Sequence, residues 1–122
     1  MKLHLHTTPG THTITAHGDG YVAVDGQRYE QPLIVLPDQL IHPWPVSALQ
    51  TLTPADFAPL IELAPALVIL GSGPVFRFPD PRIAVALAAA GIGFEVMDTP
   101  AACRTYNVLA SEGRKVAAAL LM

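Results

Sequence analysis

The chain has 122 residues, 51% of them apolar and only 14% charged, with a formal net charge of −3 at pH 7. That length suits one domain spanning residues 1–122, able to bury roughly two-thirds of the surface its unfolded form exposes, and the apolar content argues against disorder. The seven Lys and Arg are scattered between Lys2 and Lys115 without forming a basic stripe, which disfavours nucleic-acid binding.

Lys2 to Thr8 alternates leucines with histidines, and Thr11 to His17 is rich in Thr and Ile, so both stretches are expected as strands. Gly18-Asp19-Gly20 turns the chain into Tyr21 to Val24, and Asp25-Gly26 is a hairpin signal leading into Gln27 to Gln31. The first third is therefore expected to be antiparallel. Leu33 to Leu36 suits a buried strand, and residues 37–50, with Pro43-Trp44-Pro45, are expected as a loop. Thr53-Pro54-Ala55-Asp56 should start a short helix that ends before Pro65. Strand and helix then alternate: Ala66 to Leu70 as a strand, Gly71 to Pro74 as a turn, and a helix from Asp80-Pro81 to Gly91. Gly93 to Met97 is the next strand, Thr99-Pro100 opens a helix that Gly113 closes, and Lys115 to Met122 is a terminal strand. A sheet with helix crossovers follows, in an α/β fold.

The single cysteine, Cys103, excludes an internal disulfide framework and a multi-cysteine zinc site. His4, His6 and Thr7 interrupt any signal-peptide-like segment, and the longest apolar stretch, Ile83 to Gly93, is well short of the roughly 18–20 residues a membrane span requires. A cytoplasmic location is expected. So sparsely charged a surface leaves apolar patches either exposed or covered, pointing to a protein partner or a homo-oligomer.

The run Ala66 to Phe78 with Gly71-Ser72-Gly73, then Phe78-Pro79-Asp80-Pro81, then Gly91 through Asp98-Thr99-Pro100 and Cys103-Arg104-Thr105-Tyr106-Asn107 to Leu109, resembles one family. This is the domain-of-unknown-function, Mth-like family whose mitochondrial member is an assembly factor of respiratory complex I and which includes the adipogenesis-associated Mth-like protein. The resemblance covers nearly the whole chain, least distinctively in the N-terminal third. It implies a three-layer α/β fold, with a mixed central sheet, helices on one side and an additional antiparallel strand layer on the other. It implies no catalytic residues.

If the strands at 66–70 and 93–97 are joined by a right-handed crossover, their carboxyl ends open on one edge, where ligand crevices of open α/β sheets form. Gly71, Ser72, Gly73, Arg77, Asp98, Thr99, Cys103, Arg104 and Asn107 would meet there. A helix N-terminus reinforced by Arg104 and Arg77 suits a carboxylate or phosphate. The structural reading of the same residues has Gly71 and Gly73 permitting a turn, Thr99 capping its own helix and Arg104 pairing with Asp98. Cys103 beside Arg104 is either an activated thiol or a buried inert one. Ala102, Tyr106 and Leu109 share a helix face expected to pack on the sheet, with Cys103 and Asn107 toward its flank. His4, His6, His12 and His17 form a candidate metal cluster or a polar strand face, with no carboxylate in the first 18 residues to orient a metal, and a metal site is not expected. His42 stands alone. No cofactor is expected, because Gly-Ser-Gly is followed by neither a P-loop nor a dinucleotide pattern.

Two functions follow from these residues. One is a non-enzymatic interaction or assembly module, with Trp44 as an exposed anchor. The other is a protein that binds, or acts on, a small anionic metabolite in the crevice at Gly71–Gly73 and Asp98–Arg104.

Overall fold

The computed structural model describes residues 10–122. The expected strand at Lys2–Thr8, with His4 and His6, lies outside the described residues. Strands β1 (Ile14–Gly18), β2 (Tyr21–Val24) and β3 (Gln27–Tyr29) form a three-stranded antiparallel sheet in the order β1-β2-β3. Its second hairpin turns at Asp25-Gly26, both in the left-handed region that such a turn demands.

A five-stranded mixed sheet forms the centre, in the order β5-β4-β8-β6-β7. It comprises β4 (Leu33–Leu36), β5 (Gln39–Ile41), β6 (Leu67–Ser72), β7 (Gly93–Met97) and β8 (Val116–Leu121). The terminal strand β8 runs parallel to β6 and antiparallel to β4, joining the two halves of the sheet. Its Ala117, Ala118 and Ala119 are fully buried, and alanine has little intrinsic strand preference. Their small volume leaves room for larger neighbours: Trp44 and Phe57 share the core of one face with Ala117 and Ala119, and Tyr106 shares the other with Ala118.

Helices α1 (Ala58–Leu63), α2 (Pro81–Ala89) and α3 (Thr99–Ser111) complete the fold. Leu60 of α1 and Ile83 and Leu87 of α2 pack on one face of the central sheet, while the three-stranded sheet covers the other. Helix α3 shares that second face, placing Ala102, Cys103 and Tyr106 among Ile14, Val22 and Val24. Strand order explains the division. The chain moves outward from β6 to β7, then back past β6 to β8, and two right-handed crossovers in opposite directions put their helices on opposite faces.

Four sequence expectations need correction here. Residues 37–50 are not all loop, since Gln39–Ile41 pairs with β4 across the two-residue turn Pro37-Asp38, and Leu49–Thr51 makes a 3₁₀ turn. Apolar alternation too short to register in the sequence is fixed by pairing, Ile41 opposite Ile34. The turn assigned to Gly71–Pro74 begins later, because β6 continues through Ser72. The helix expected after Thr53 starts as a 3₁₀ segment, Pro54–Phe57, with the Thr53 N–H donating to the Asp56 carboxylate at 2.8 Å.

Trp44, expected as an exposed anchor, is 2% exposed. Its indole meets Phe57 edge-on, with ring centroids 5.4 Å apart, and its Nε1–H donates to the Asp56 carbonyl at 3.0 Å. The indole is thus held in the core beside Phe57 and Leu60 instead of being presented to solvent. Trp44→Ala should therefore cost about 3–5 kcal/mol in urea denaturation, and Trp44→Phe markedly less. A cost within about 0.5 kcal/mol, typical of surface positions, would contradict the packing described.

Candidate functional site

The carboxyl ends of β6 and β7 do lie side by side, because the two strands are parallel and in register from Leu67–Gly93 to Gly71–Met97. A set of hydrogen bonds made by Thr99 closes over the ends of β6 and its other neighbour, β8. Thr99 Oγ1 accepts from the Gly73 N–H at 2.9 Å and donates to the Leu121 carbonyl at 2.5 Å, while its own N–H donates to the Gly73 carbonyl at 2.8 Å. Thr99 is buried, so each bond is made away from competing water. This residue ties the ends of β6 and β8 to the first turn of α3.

Thr99 is consequently not the cap of its helix, as its residue type suggested. The cap is Asp98, whose carboxylate accepts from the Ala101 N–H at 2.8 Å. A carboxylate of the chain itself thus occupies the position at which an external anion would meet these amides. Arg104 is exposed and does not pair with Asp98; among the described residues the ion pairs are His12–Asp25, Arg28–Glu30 and Arg82–Asp80.

Gly71 serves close approach, not a turn. A Cβ there would stand 2.8 Å from Thr99 Oγ1 and 3.1 Å from Thr99 Cα, so only glycine lets α3 begin against the strand. Gly73, at φ +103, does use the freedom that turns require. Ser72 pins the segment that follows: its hydroxyl donates to the Val75 carbonyl at 2.8 Å and accepts from the Arg77 N–H at 3.2 Å.

Six of the nine residues expected in one crevice border three different hollows, and Gly71, Gly73 and Asp98 line none of the three. Ser72 and Arg77 line a depression of about 320 Å3 with Leu49 and Met122. Thr99 borders another, of about 340 Å3, beside Asp19 and Tyr21. Cys103, Arg104 and Asn107 lie on the flank of α3 against β1, bordering a third of about 360 Å3. Asn107 spends its amide on the backbone of β1, accepting from the Ile14 N–H at 2.9 Å and donating to the Ile14 carbonyl at 2.7 Å. Both groups of its amide thus splice the strand layer to α3, a role that spacing alone does not reveal.

Cys103 is 1% exposed, and burial pushes its thiol up to about 12, with Arg104 offsetting only part of that. Tyr106 belongs to the core as expected. Its hydroxyl donates to the His12 carbonyl at 2.8 Å, and burial first, then the charges of Asp25 and Asp38, raise its pKa well above the ordinary value. Sequence reasoning did not single out Val75, Phe76 and Phe78, which project into solvent on the segment that Ser72 pins. The spacing of apolar residues ahead of Pro79 was visible, but loop aromatics are ordinarily read as core.

Thr99→Val should destabilise the protein by about 2–4 kcal/mol, since it strips a buried amide and a buried carbonyl of one partner, whereas Thr99→Ser should stay within about 1 kcal/mol. Equal losses for the two variants would refute a hydroxyl-dependent tie. Cys103 should resist alkylation at pH 8 by roughly a thousandfold relative to the unfolded chain, through its suppressed thiolate. The folded state also holds on to the Cys103 and Tyr106 protons longer than the unfolded one does. Stability should therefore be full below about pH 9 and fall as pH rises toward 12, by up to about 1.4 kcal/mol per pH unit for each group. Cys103→Ala, measured by urea denaturation across that range, should flatten the decline; an unchanged slope would contradict the thiol's part in it.

The sequence pattern of the family described as a protein of unknown function (DUF498/DUF598) matches residues 14–121. Among curated proteins, the chain is 36% identical over 104 residues to NADH dehydrogenase [ubiquinone] 1 alpha subcomplex assembly factor 3 of the cow, Bos taurus, covering 84% of this chain and 55% of that protein. The chain thus spans about half the length of these assembly-factor relatives. Among solved structures, a Xanthomonas campestris protein superposes with a TM-score of 0.83 at 41% identity, covering 91% of this chain and 84% of that one. A Bordetella pertussis protein described as a Mth938-like domain superposes with a TM-score of 0.82 at 34% identity, covering 99% of this chain and 92% of that one. The chain therefore belongs to the DUF498/DUF598 family, with the Mth938-like fold.

Proposed function

We propose that this chain works by binding other proteins, as an assembly-factor-like module and not as an enzyme. The observation that carries this reading is the exposed apolar segment Val75, Phe76 and Phe78, with Phe78 76% exposed. Large side chains held outward on a segment fixed by hydrogen bonds are the mark of an interaction surface. Phe76 and Phe78 pack edge-on with ring centroids 4.8 Å apart, giving a preformed apolar projection that loses little rotamer freedom on binding. The curated relatives named as assembly factors support the same reading. A cytoplasmic location is part of the proposal.

The alternative of a small anionic ligand draws less support from the geometry, because the residues it needs border separate shallow hollows and the α3 amides already have Asp98. Cells lacking this chain, complemented with the wild type, test the proposal. Native gels of their respiratory complexes should show less assembled NADH dehydrogenase at unchanged subunit synthesis, and the tagged chain at native abundance should co-purify with the same proteins in every repeat. Unchanged complexes together with no co-purifying protein would overturn it.

A further inference from the structure

The two edges of the central sheet are unlike. Strand β5 is three residues long and leads directly into His42-Pro43, which limits further pairing. Strand β7 is five residues long, pairs regularly with β6 without a bulge, and among the described residues has nothing paired to its outer side. It carries none of the usual edge protection by lysine or proline. The Gly93 N–H donates to the Ala66 carbonyl on the β6 side at 3.0 Å, so by strand alternation Phe94 and Val96 turn their N–H and C=O groups outward. Beside that edge lies an open groove of about 530 Å3, walled by Phe76, Phe78, Pro79 and Ala84 and floored by Phe94 and Val96. Backbone groups in need of partners and an apolar channel therefore run side by side.

Resting on the interaction-module reading above, we propose that this edge takes an extended segment of a different protein as a sixth strand of the sheet, with alternating apolar and basic side chains. Side chains of an added strand fall next to those of β7. Positions beside Phe94 and Val96 face the aromatic groove and call for apolar residues, and the position beside the exposed Glu95 calls for Lys or Arg. Charge also decides against a second copy. Pairing β7 antiparallel with its own twin over all five residues places Glu95 beside Glu95, and like charges directly opposite are destabilising.

The test is photo-cross-linking in the protein's own cells, with benzoylphenylalanine at position 78 of the full chain and, as a control, at Val108, an exposed apolar position on α3. The cross-linked peptide is sequenced by mass spectrometry. Position 78 should yield one heterologous segment of apolar–basic alternation, and Glu95→Arg should lower its yield by about tenfold, the scale of a lost charge pair turned repulsive. Phe78→Glu, at a site too exposed to threaten folding, should remove the partner from affinity purification. Cross-links to another copy of the chain, a segment without that alternation, a yield unmoved by Glu95→Arg, or silence at 78 would each overturn the proposal. If Phe78→Glu still recovers the wild-type partners, the interaction reading stands and only this surface fails; if the wild type recovers none, the broader reading fails as well.

Discussion

One hydroxyl ties the ends of β6 and β8 to the start of α3. Thr99 Oγ1 both receives the Gly73 amide and gives its proton to the Leu121 carbonyl, so three chain segments converge on a single buried atom. Gly71 exists in its present form to let that atom come close, and Asp98 is freed to cap α3 because Thr99 is engaged elsewhere. In open α/β sheets the space between the carboxyl ends of neighbouring strands is where ligands usually enter. Here the chain spends that space on its own cohesion.

The consequence is that surface chemistry moves outward from the strand ends to the sheet edge. Ser72, the residue after the Thr99-braced glycine, fixes the backbone of Val75 and Arg77 and thereby the outward aim of Phe76 and Phe78. The two phenyl rings stand over the rim of β7, whose outer backbone groups continue the same surface. Under the proposal, this apolar projection beside a strand edge whose outer backbone groups are unpaired among the described residues would take up an extended segment of a partner.

Much of the architecture could be read in the residues. The alternation of buried runs with proline-started helices located β6, α2, β7, α3 and β8 to within a few residues, since each element carries its own start and stop chemistry. The strand at Gln39–Ile41 was not legible, because three residues supply too little periodicity and the strand exists only through pairing with β4. Trp44 was misplaced for a related reason: prolines on both sides mark an irregular backbone but say nothing about which way an indole points. At the candidate site, residue types suggested a turn role for Gly71 and a threonine cap, and both assignments changed once the distance between β6 and α3 was known.

The sequence by itself determined the order of the elements other than β5, the antiparallel first third, the parallel pair β6–β7 and the resemblance to the Mth-like family. The elements follow from local periodicity, capping and turn residues, which act over a few neighbours, and the resemblance is carried by residues between Ala66 and Leu109. Only the tertiary structure decided that β8 lies between β4 and β6, that α3 joins the strand layer on the second face, that Cys103 is sealed, and that the aromatics before Pro79 face solvent. Each of these depends on which distant segments meet, and the hydrogen bonds that decide it, Asn107 to Ile14 and Thr99 to Leu121, join residues whose pairing leaves no local trace in the sequence.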